Sequence, residues 1–196
     1  VAIIGTSGSG KSTLLNMISC IDRPTEGEIL FGDEKLHLYR EAELTKWRGE
    51  NIGIVFQFFQ LMPTLTILEN IILPMDFNHK YASGKRKTIA LELLYKTGIL
   101  ECADRLPCEI SGGQQQRAAI ARSLANNPSF IIADEPTGNL DSREAQEVIG
   151  LLKMTCREFN QTVVLVTHEK EIADMADQVI FLKDGKIADM ERRQKN

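Results

Sequence analysis

The sequence predicts an α/β protein built on a mainly parallel sheet, with a helical segment inserted into it. Short apolar runs alternate with segments in which apolar residues recur at helical spacing, which is typical of strand–helix units. The first apolar run leads through a glycine- and serine-rich loop directly into such a helical segment. Between Pro63 and Pro107, helical patterns occur without β-branched strand runs, and this stretch predicts the inserted helical segment.

The predicted strands are short apolar runs bounded by glycine, proline or polar residues. In chain order they are Val1–Ile4, Glu28–Phe31, Asn51–Phe56, Phe130–Ala133, Thr162–Val166, Val179–Leu182 and Lys186–Ala188. The last two flank Asp184-Gly185, a dipeptide that favours the tight turn of a β-hairpin. Most of the others alternate with helical segments, as parallel strands joined by crossover helices do.

The predicted helices follow from the periodicity of apolar residues and from capping residues. They are Lys11–Ser19, Glu69–Leu73, Lys85–Thr97, a helix that begins at Ser111 and a helix that begins after Asp141. Ser111 and Gln114 have the spacing of a capping box, in which the two residues satisfy each other's backbone amides. Asp141, with Glu144 three residues later, precedes a helix whose apolar residues fall on one face.

Length and composition indicate one ordinary globular domain. The chain has 196 residues, of which 43% are hydrophobic and 26% charged, and this excludes disordered, collagen-like and disulfide-scaffold proteins. The formal net charge of −4 argues against non-specific nucleic-acid binding, which requires a basic surface. The apolar runs are far shorter than the roughly 20 residues of a membrane span. Four cysteines without C-x-x-C spacing predict reduced thiols rather than a metal site.

The strongest local motif is Gly5-Thr6-Ser7-Gly8-Ser9-Gly10-Lys11-Ser12, which has the G-x-x-x-x-G-K-[ST] spacing of a phosphate-binding loop. A predicted strand precedes it and a predicted helix follows it, as the motif requires. The glycines allow backbone amides to curl around phosphate oxygens, and the positive N-terminus of the helix faces the same anion. Lys11 can then reach the β- and γ-phosphates, and the Ser12 hydroxyl can bind Mg²⁺.

Polar residues also follow two further predicted strands at their carboxyl ends. Asp134 and Glu135 follow one of them, and His168 follows the other. Ligands bind at the carboxyl ends of strands in open α/β sheets, so we expect these groups at one edge together with the phosphate loop. Asp134 suits a Mg²⁺ ligand, Glu135 a general base for an attacking water, and His168 a sensor of the γ-phosphate. An acidic helix start before Pro136 and a structural histidine are the alternatives.

Ser111-Gly112-Gly113-Gln114-Gln115 is a second candidate device for binding phosphate. Two glycines at a helix start are unfavourable unless the backbone must approach another group closely. A serine cap and exposed amides at a helix N-terminus favour an anion. One nucleotide rarely needs two phosphate-binding motifs from the same chain. We therefore expect this motif to bind a nucleotide that is held by a second copy. A plain glycine-rich helix cap is the alternative.

These motifs, in this order, resemble the nucleotide-binding subunit of an ATP-binding-cassette (ABC) transporter over nearly the whole chain. Gly5–Ser12 is similar to the Walker A loop, and Phe130–Glu135 is similar to Walker B with its catalytic glutamate. Gln57 resembles the Q-loop glutamine, which in this family contacts Mg²⁺ and couples to the membrane subunit. Ile110–Gln114 resembles the family signature, with isoleucine in place of the usual leucine.

Two further family motifs have counterparts, and finer detail narrows the resemblance. Asn139-Leu140-Asp141 resembles the D-loop and His168 the switch histidine. Ile21–Gly27 and Ala133–Asp141 are similar to the ATPases of macrolide efflux, lipoprotein release, cell-division signalling and antimicrobial-peptide resistance. In that group the ATPase works as a homodimer on a permease with large extracytoplasmic domains, and many members transmit force across the membrane.

The resemblance implies a RecA-like P-loop NTPase core with a partial antiparallel β-subdomain and an inserted α-helical subdomain. Within a single nucleotide-binding domain of residues 1–196, we expect the core at about 1–60 and 127–196 and the helical subdomain at about 61–126. The family also has a preceding segment with an adenine-stacking aromatic residue and further strands, so we expect the chain to be truncated at its N-terminus.

The resemblance also implies ATP hydrolysis with ATP and Mg²⁺, at sites completed by a second copy in a head-to-tail ATP sandwich. The residues expected to bind nucleotide are Gly5, Thr6, Ser7, Gly8, Ser9, Gly10, Lys11, Ser12, Thr13 and Gln57. Those expected to act on the nucleotide of the second copy are Ser111, Gly112, Gly113, Gln114 and Asp141. Mg²⁺ is expected on Ser12, Gln57 and Asp134, and the expected catalytic residues are Glu135 and His168.

The other implied partner is an integral-membrane permease, bound at the cytoplasmic face of the cell membrane; no nucleic-acid partner is expected. We expect the contact near Gln57 and Phe58–Leu61, where apolar residues suit docking as well as local core packing. Two other functions stay open. One is a non-transporting regulator that acts through a permease on a cell-wall enzyme. The other is a soluble ABC ATPase, although the coiled-coil or zinc insertion of a DNA-repair cassette is not found in residues 61–108.

Overall fold

The computed structural model describes residues 1–193. In chain order its strands are β1 (Ala2–Ile4), β2 (Leu30–Phe31), β3 (Glu34–Lys35), β4 (Ile52–Val55), β5 (Phe130–Asp134), β6 (Thr162–Thr167), β7 (Gln178–Lys183) and β8 (Lys186–Arg192). Its α-helices are α1 (Lys11–Ile18), α2 (Glu41–Asn51), α3 (Ile67–Asn78), α4 (Ser83–Lys96), α5 (Gly112–Leu124), α6 (Ser142–Glu158) and α7 (Lys170–Ala173). The predicted α/β class is confirmed.

The chain divides into two compact units. The first unit consists of Val1–Arg48 together with the chain from Val164 onwards, and the second consists of Gly49–Val163. The first unit therefore joins two distant stretches of sequence, whereas the second is continuous. None of the helices in residues 1–193 is both long and apolar enough to cross a membrane.

Strand β1 lies in the middle of the sheet in the first unit. It pairs in parallel with β6 on one side and with β7 on the other. The predicted hairpin is confirmed, because β8 pairs antiparallel with β7 across Asp184-Gly185, and both turn residues have positive φ. Ala2 and Val179 are fully buried and pack against Ala173 of α7. This buried pairing gives the loop after β1 a fixed starting point.

Helix α2 has no counterpart in the sequence prediction. Only Leu44 and Trp47 are buried along it, so an apolar stripe is missing. The Trp47 ring meets the Phe31 ring edge-on, with centroids 4.9 Å apart, and Trp47 Nε1 donates to Glu34 Oε2 at 2.5 Å. Tertiary contacts with β2 and β3 therefore stabilise this helix, as they do for most short helices.

The second unit combines two parallel strands with a group of helices. β4 and β5 pair in register from Ile52 opposite Phe130 to Val55 opposite Ala133. α3 packs against both α4 and α5, and α5 lies over β4. Fully buried apolar side chains of this group include Ile67, Ile71, Met75, Leu94 and Ile120. The helical character predicted between Pro63 and Pro107 is thus present.

Helix α3 continues through Pro74, although the predicted segment stops before it. The helix starts with a capping box between Thr66 and Glu69. Beyond the proline, Met75 is fully buried, and the Asn126 side-chain amide donates to the Pro74 carbonyl at 3.1 Å. These contacts stabilise a turn that a proline would otherwise weaken.

Candidate functional site

The phosphate loop of the first unit is shaped by glycines at positions where a side chain would not fit. A Cβ on Gly5 would lie 2.3 Å from the Leu182 carbonyl oxygen and 2.5 Å from Ser9 Oγ. Gly8 and Gly10 have φ values of 78° and 97°, in the left-handed region that glycine adopts readily. The loop therefore packs tightly on β7 at its start and curls through two glycines in the left-handed region.

Helix α1 starts at the end of this loop without a competing anion. Gly10, at the N-cap position, supplies no side-chain cap, and the first turn contains no acidic residue. Lys11 is only 8% exposed, and its Nζ donates to the carbonyls of Gly5 and Thr6, each at 3.0 Å. The hydroxyl-bearing Ser12–Thr13 pair is exposed. The helix N-terminus and the ammonium group together concentrate positive charge on the loop, which suits phosphate.

The turn between β7 and β8 contacts the phosphate loop directly. Gly185 N donates to the Ser9 carbonyl at 3.0 Å, and Ser9 itself is buried. The loop is thus held between the strand that precedes it and the β7–β8 turn.

His168 leaves the sheet beside the phosphate loop. Ile4, the last residue of β1, is paired with Thr167, the last residue of β6, so Gly5 and His168 emerge from neighbouring strand ends. Thr167 is buried, and its Oγ1 accepts a hydrogen bond from Glu169 N at 3.0 Å, which fixes the turn after the strand. The His168 residue is exposed at this edge. The structure therefore brings two of the predicted motifs together within the first unit.

In the second unit, Gln57 comes after β4, whereas Asp134 is the last residue of its partner strand β5 and Glu135 follows it. Gln57 lies against the turn after β5, because a Cβ on Gly138 would be 2.7 Å from Gln57 Nε2. The Asn139 side-chain amide donates to the Gln57 carbonyl at 2.9 Å. Glu135 has a φ of 44°, a strained conformation of the kind found at functional sites. The two strand ends thus present an amide and two carboxylates at one edge.

The predicted magnesium ligands have suitable chemistry. A carboxylate from Asp134, an amide oxygen from Gln57 and a hydroxyl from Ser12 are the hard oxygen donors that Mg²⁺ prefers. Within residues 1–193, no group of three or more His, Cys, Asp or Glu side chains is placed to hold a metal ion. Each of these groups suits an ion that takes its remaining ligands from phosphate oxygens and water.

The Ser111 motif forms the N-terminus of α5, and its predicted capping box is confirmed. Ser111 Oγ accepts from Gln114 N at 3.2 Å, and Gln114 Oε1 accepts from Ser111 N at 3.0 Å. A Cβ on Gly113 would lie 2.5 Å from Glu144 Oε1, so any larger residue would force the Glu144 side chain of α6 to shift. The motif borders a cavity of about 350 Å³ that is also lined by Arg117.

Asp141 has a clear local role. It is the N-cap of α6, and its Oδ1 accepts from Arg143 N at 2.9 Å and from Glu144 N at 2.8 Å. The helix-cap expectation is confirmed, whereas a role of Asp141 toward a second copy stays a prediction.

Sequence reasoning did not single out two residues of α5 that hold neighbouring segments of the site. Gln116 is fully buried, and its Nε2 donates to the Pro136 carbonyl at 2.7 Å and to the Phe56 carbonyl at 3.5 Å. Arg122, nearer the end of the helix, donates to two carbonyls beyond Gln57. No motif marks either residue, because their partners are distant in sequence.

The arrangement of these motifs has counterparts among known proteins. Residues 1–138 match the sequence model of the ABC transporter family. The chain belongs to this family. The bacitracin export ATP-binding protein BceA of Halalkalibacterium halodurans is 44% identical, covering 95% of this chain and 74% of that protein. The lipoprotein-releasing system ATP-binding protein LolD of Aquifex aeolicus is also 44% identical, covering 95% of this chain and 83% of that protein.

A solved structure agrees with the fold. The ATP-binding cassette MJ0796 of Methanocaldococcus jannaschii, in a dimeric post-hydrolysis state bound to ADP and Pi, superposes with a TM-score of 0.90 at 45% identity. The match covers 100% of this chain and 85% of that one. The expected RecA-like ABC ATPase fold and the resemblance to the lipoprotein-release and peptide-resistance group are therefore confirmed.

Family membership settles the general activity. The chain is the ATP-binding subunit of an ABC transporter, an ATPase that hydrolyses ATP to power a membrane permease.

Proposed function

We propose that two copies of the chain bind two ATP molecules head to tail, each between Gly5–Ser12 of one copy and Ser111–Gln114 of the other. The observation that carries this proposal is the glycine-bearing N-terminus of α5, which borders a cavity and has the cap and glycines that suit phosphate binding. The dimeric state of the MJ0796 cassettes supports a dimer of this chain.

Different residues of the motifs bind the phosphates and the metal ion during hydrolysis. Lys11 and the loop amides bind the phosphates, and Ser12, Gln57 and Asp134 are the ligands of Mg²⁺. When bound, Mg²⁺ neutralises charge on the phosphates and holds them in position for attack.

Two further groups act on the reacting atoms. Glu135 accepts a hydrogen bond from the attacking water and polarises it as a general base. His168 donates a hydrogen bond to the γ-phosphate, and Asp141 faces the nucleotide of the second copy. Because these interactions need the γ-phosphate, ATP favours the closed dimer and its hydrolysis allows reopening.

The permease contact is placed at Phe58–Leu61, directly after Gln57. Phe58 is 67% exposed, and Met62, just beyond this segment, is 46% exposed, so apolar surface is available for a partner. We place the subunit at the cytoplasmic face of a membrane, on a permease that exports peptides, releases lipoproteins or transmits force. The names of BceA and LolD support this choice.

The test compares wild type with Glu135→Gln and Ser111→Arg by ATPase activity and by light scattering with and without Mg-ATP. Glu135→Gln should lower turnover by at least about 100-fold, the usual loss on removing a general base, and should leave an ATP-dependent dimer. Ser111→Arg should bind ATP but stay monomeric, because the arginine fills the surface that would face the ATP of the second copy.

An exposed carboxylate elsewhere gives the matched control. Glu26→Gln, on the surface of the first unit, should behave like wild type. Normal turnover in Glu135→Gln would refute the base assignment, and an ATP-dependent dimer of Ser111→Arg would refute the sandwich.

A further inference from the structure

The segment after Gln57 has an unusual backbone conformation. Phe59 and Gln60 are consecutive non-glycine residues with φ values of 58° and 54°. Side chains other than glycine rarely adopt this left-handed region, and two in succession are rarer still. The local backbone bonds are few: Phe59 N donates to the Phe56 carbonyl at 3.3 Å, and Gln60 N donates to the Phe58 carbonyl at 2.5 Å. Other groups must therefore stabilise the conformation.

Arg122 of α5 supplies those groups. One terminal nitrogen donates to the Phe59 carbonyl at 2.8 Å, and the other donates to the Gln60 carbonyl. The planar guanidinium thus spans both strained residues with two donors in fixed geometry, which an ammonium group cannot do. Burial lowers the pKa of Arg122, yet an arginine stays protonated at neutral pH, so both donors remain charged.

The same helix also carries the signature motif. Ser111 caps its N-terminus, and Arg122 lies in its last turn, which at 1.5 Å per residue separates them by about 16 Å along a rigid rod. A displacement of the Ser111 end therefore moves the Arg122 end with it. The carbonyls that Arg122 holds belong to the segment where we place the permease contact.

We propose that Arg122 is a positioning residue that links the signature helix to the Phe58–Leu61 segment. It holds Phe59 and Gln60 in their strained conformation and makes that segment follow α5 when the Ser111 end binds nucleotide. The second step rests on the ATP sandwich proposed above, whereas the first does not.

Hydrogen–deuterium exchange, read by mass spectrometry, tests the first step without nucleotide. The variants are Arg122→Met, which keeps the aliphatic stem, and Arg122→Lys, which keeps the charge but loses the fork. Arg117→Met removes an arginine from the same helix that pairs with Glu147 instead, and it is the matched control. We expect amides in residues 56–62 to exchange at least about tenfold faster in Arg122→Met, with Arg122→Lys in between and Arg117→Met unchanged.

Faster exchange in residues 56–62 can be distinguished from a general destabilisation of the second unit. Exchange in peptides from α6 reports the stability of the second unit as a whole. The proposal requires that Arg122→Met accelerate amide exchange in residues 56–62 more than in α6. Equal exchange of residues 56–62 in wild type and Arg122→Met, or equal acceleration of residues 56–62 and of α6, would overturn the proposal.

The second step is tested in the Glu135→Gln background with Mg-ATP. We expect ATP to protect residues 111–117 with or without Arg122, and to protect residues 56–62 only when Arg122 is present. Protection of both segments in the Arg122→Met double variant would overturn the linkage. Loss of protection at residues 111–117 in Glu135→Gln itself would instead count against the ATP sandwich. The nucleotide-free experiment would still decide whether Arg122 holds Phe59 and Gln60 in place.

Discussion

Replacing Gly5 with alanine tests whether the phosphate loop depends on its close packing against β7. The added Cβ would lie 2.3 Å from the Leu182 carbonyl oxygen, whereas real Cβ contacts are essentially never shorter than 3.0 Å. The Ser9 hydroxyl, 2.5 Å away, can rotate aside, but the Leu182 carbonyl belongs to the backbone of a central strand. The loop must therefore move by roughly 0.7 Å, away from the position in which its amides face phosphate.

The expected loss follows from this overlap. Forcing an extra carbon into a packed site destabilises by about 1–3 kcal/mol. If the strain falls on the ATP-binding conformation, ATP affinity drops by about 5- to 150-fold. Titration with a fluorescent ATP analogue measures the affinity, and thermal unfolding measures the effect on the apo protein.

A second glycine provides the control for this experiment. Gly84 lies in the first turn of α4 with nothing within 4 Å of an added Cβ, so Gly84→Ala should leave ATP affinity unchanged. It should also stabilise the protein slightly, by about 0.4–1 kcal/mol, because alanine restricts the unfolded chain. Wild-type affinity together with a wild-type melting temperature in Gly5→Ala would refute the packing argument.

Three further expectations concern separate parts of the chain. Lys11→Ala should weaken ATP binding about 10- to 150-fold by calorimetry, because a charged donor to the phosphates is lost; unchanged affinity would contradict the role of the loop. Asn70 is fully buried and hydrogen-bonds backbone groups in residues 62–66, so Asn70→Ala should lower the free energy of unfolding in urea by about 3 kcal/mol; a loss below about 1 kcal/mol would contradict this. Burial raises the pKa of the Cys20 thiol, so a thiol reagent at pH 8 should modify the exposed Cys108 first, and the reverse order would be inconsistent with the structure.

Local sequence signals predicted the parts of the site that are built locally. The strand, loop and helix of residues 1–18 follow from an apolar run, from glycines and from the helix pattern, all within one short segment. The cap of α5 by Ser111 and Gln114 is local in the same sense, since the two residues are three apart. Such features need no knowledge of the tertiary fold.

The features that the sequence did not predict depend on distant partners. Arg122 binds carbonyls that are 62 and 63 residues earlier in the chain, and nothing in its own neighbourhood marks it. Helix α2 is stabilised by Trp47 against Phe31 and Glu34 rather than by an apolar stripe. The extension of α3 beyond Pro74 likewise needs Asn126, 52 residues later. Periodicity and motif spacing carry no information about contacts of this kind.

The hydrogen bond between Gly185 and Ser9 has a consequence for the order of events during synthesis. The phosphate loop leaves the ribosome well before its partners, because β1 pairs with β6 and β7, whose residues are translated more than 150 positions later. Contacts between such distant positions form late, because the intervening chain must first be ordered. A nascent chain that stops before β6 has the complete motif but neither the strands nor the turn that shape it. Nucleotide affinity should therefore arise abruptly once the β7–β8 hairpin has been made, and not when the motif itself is complete.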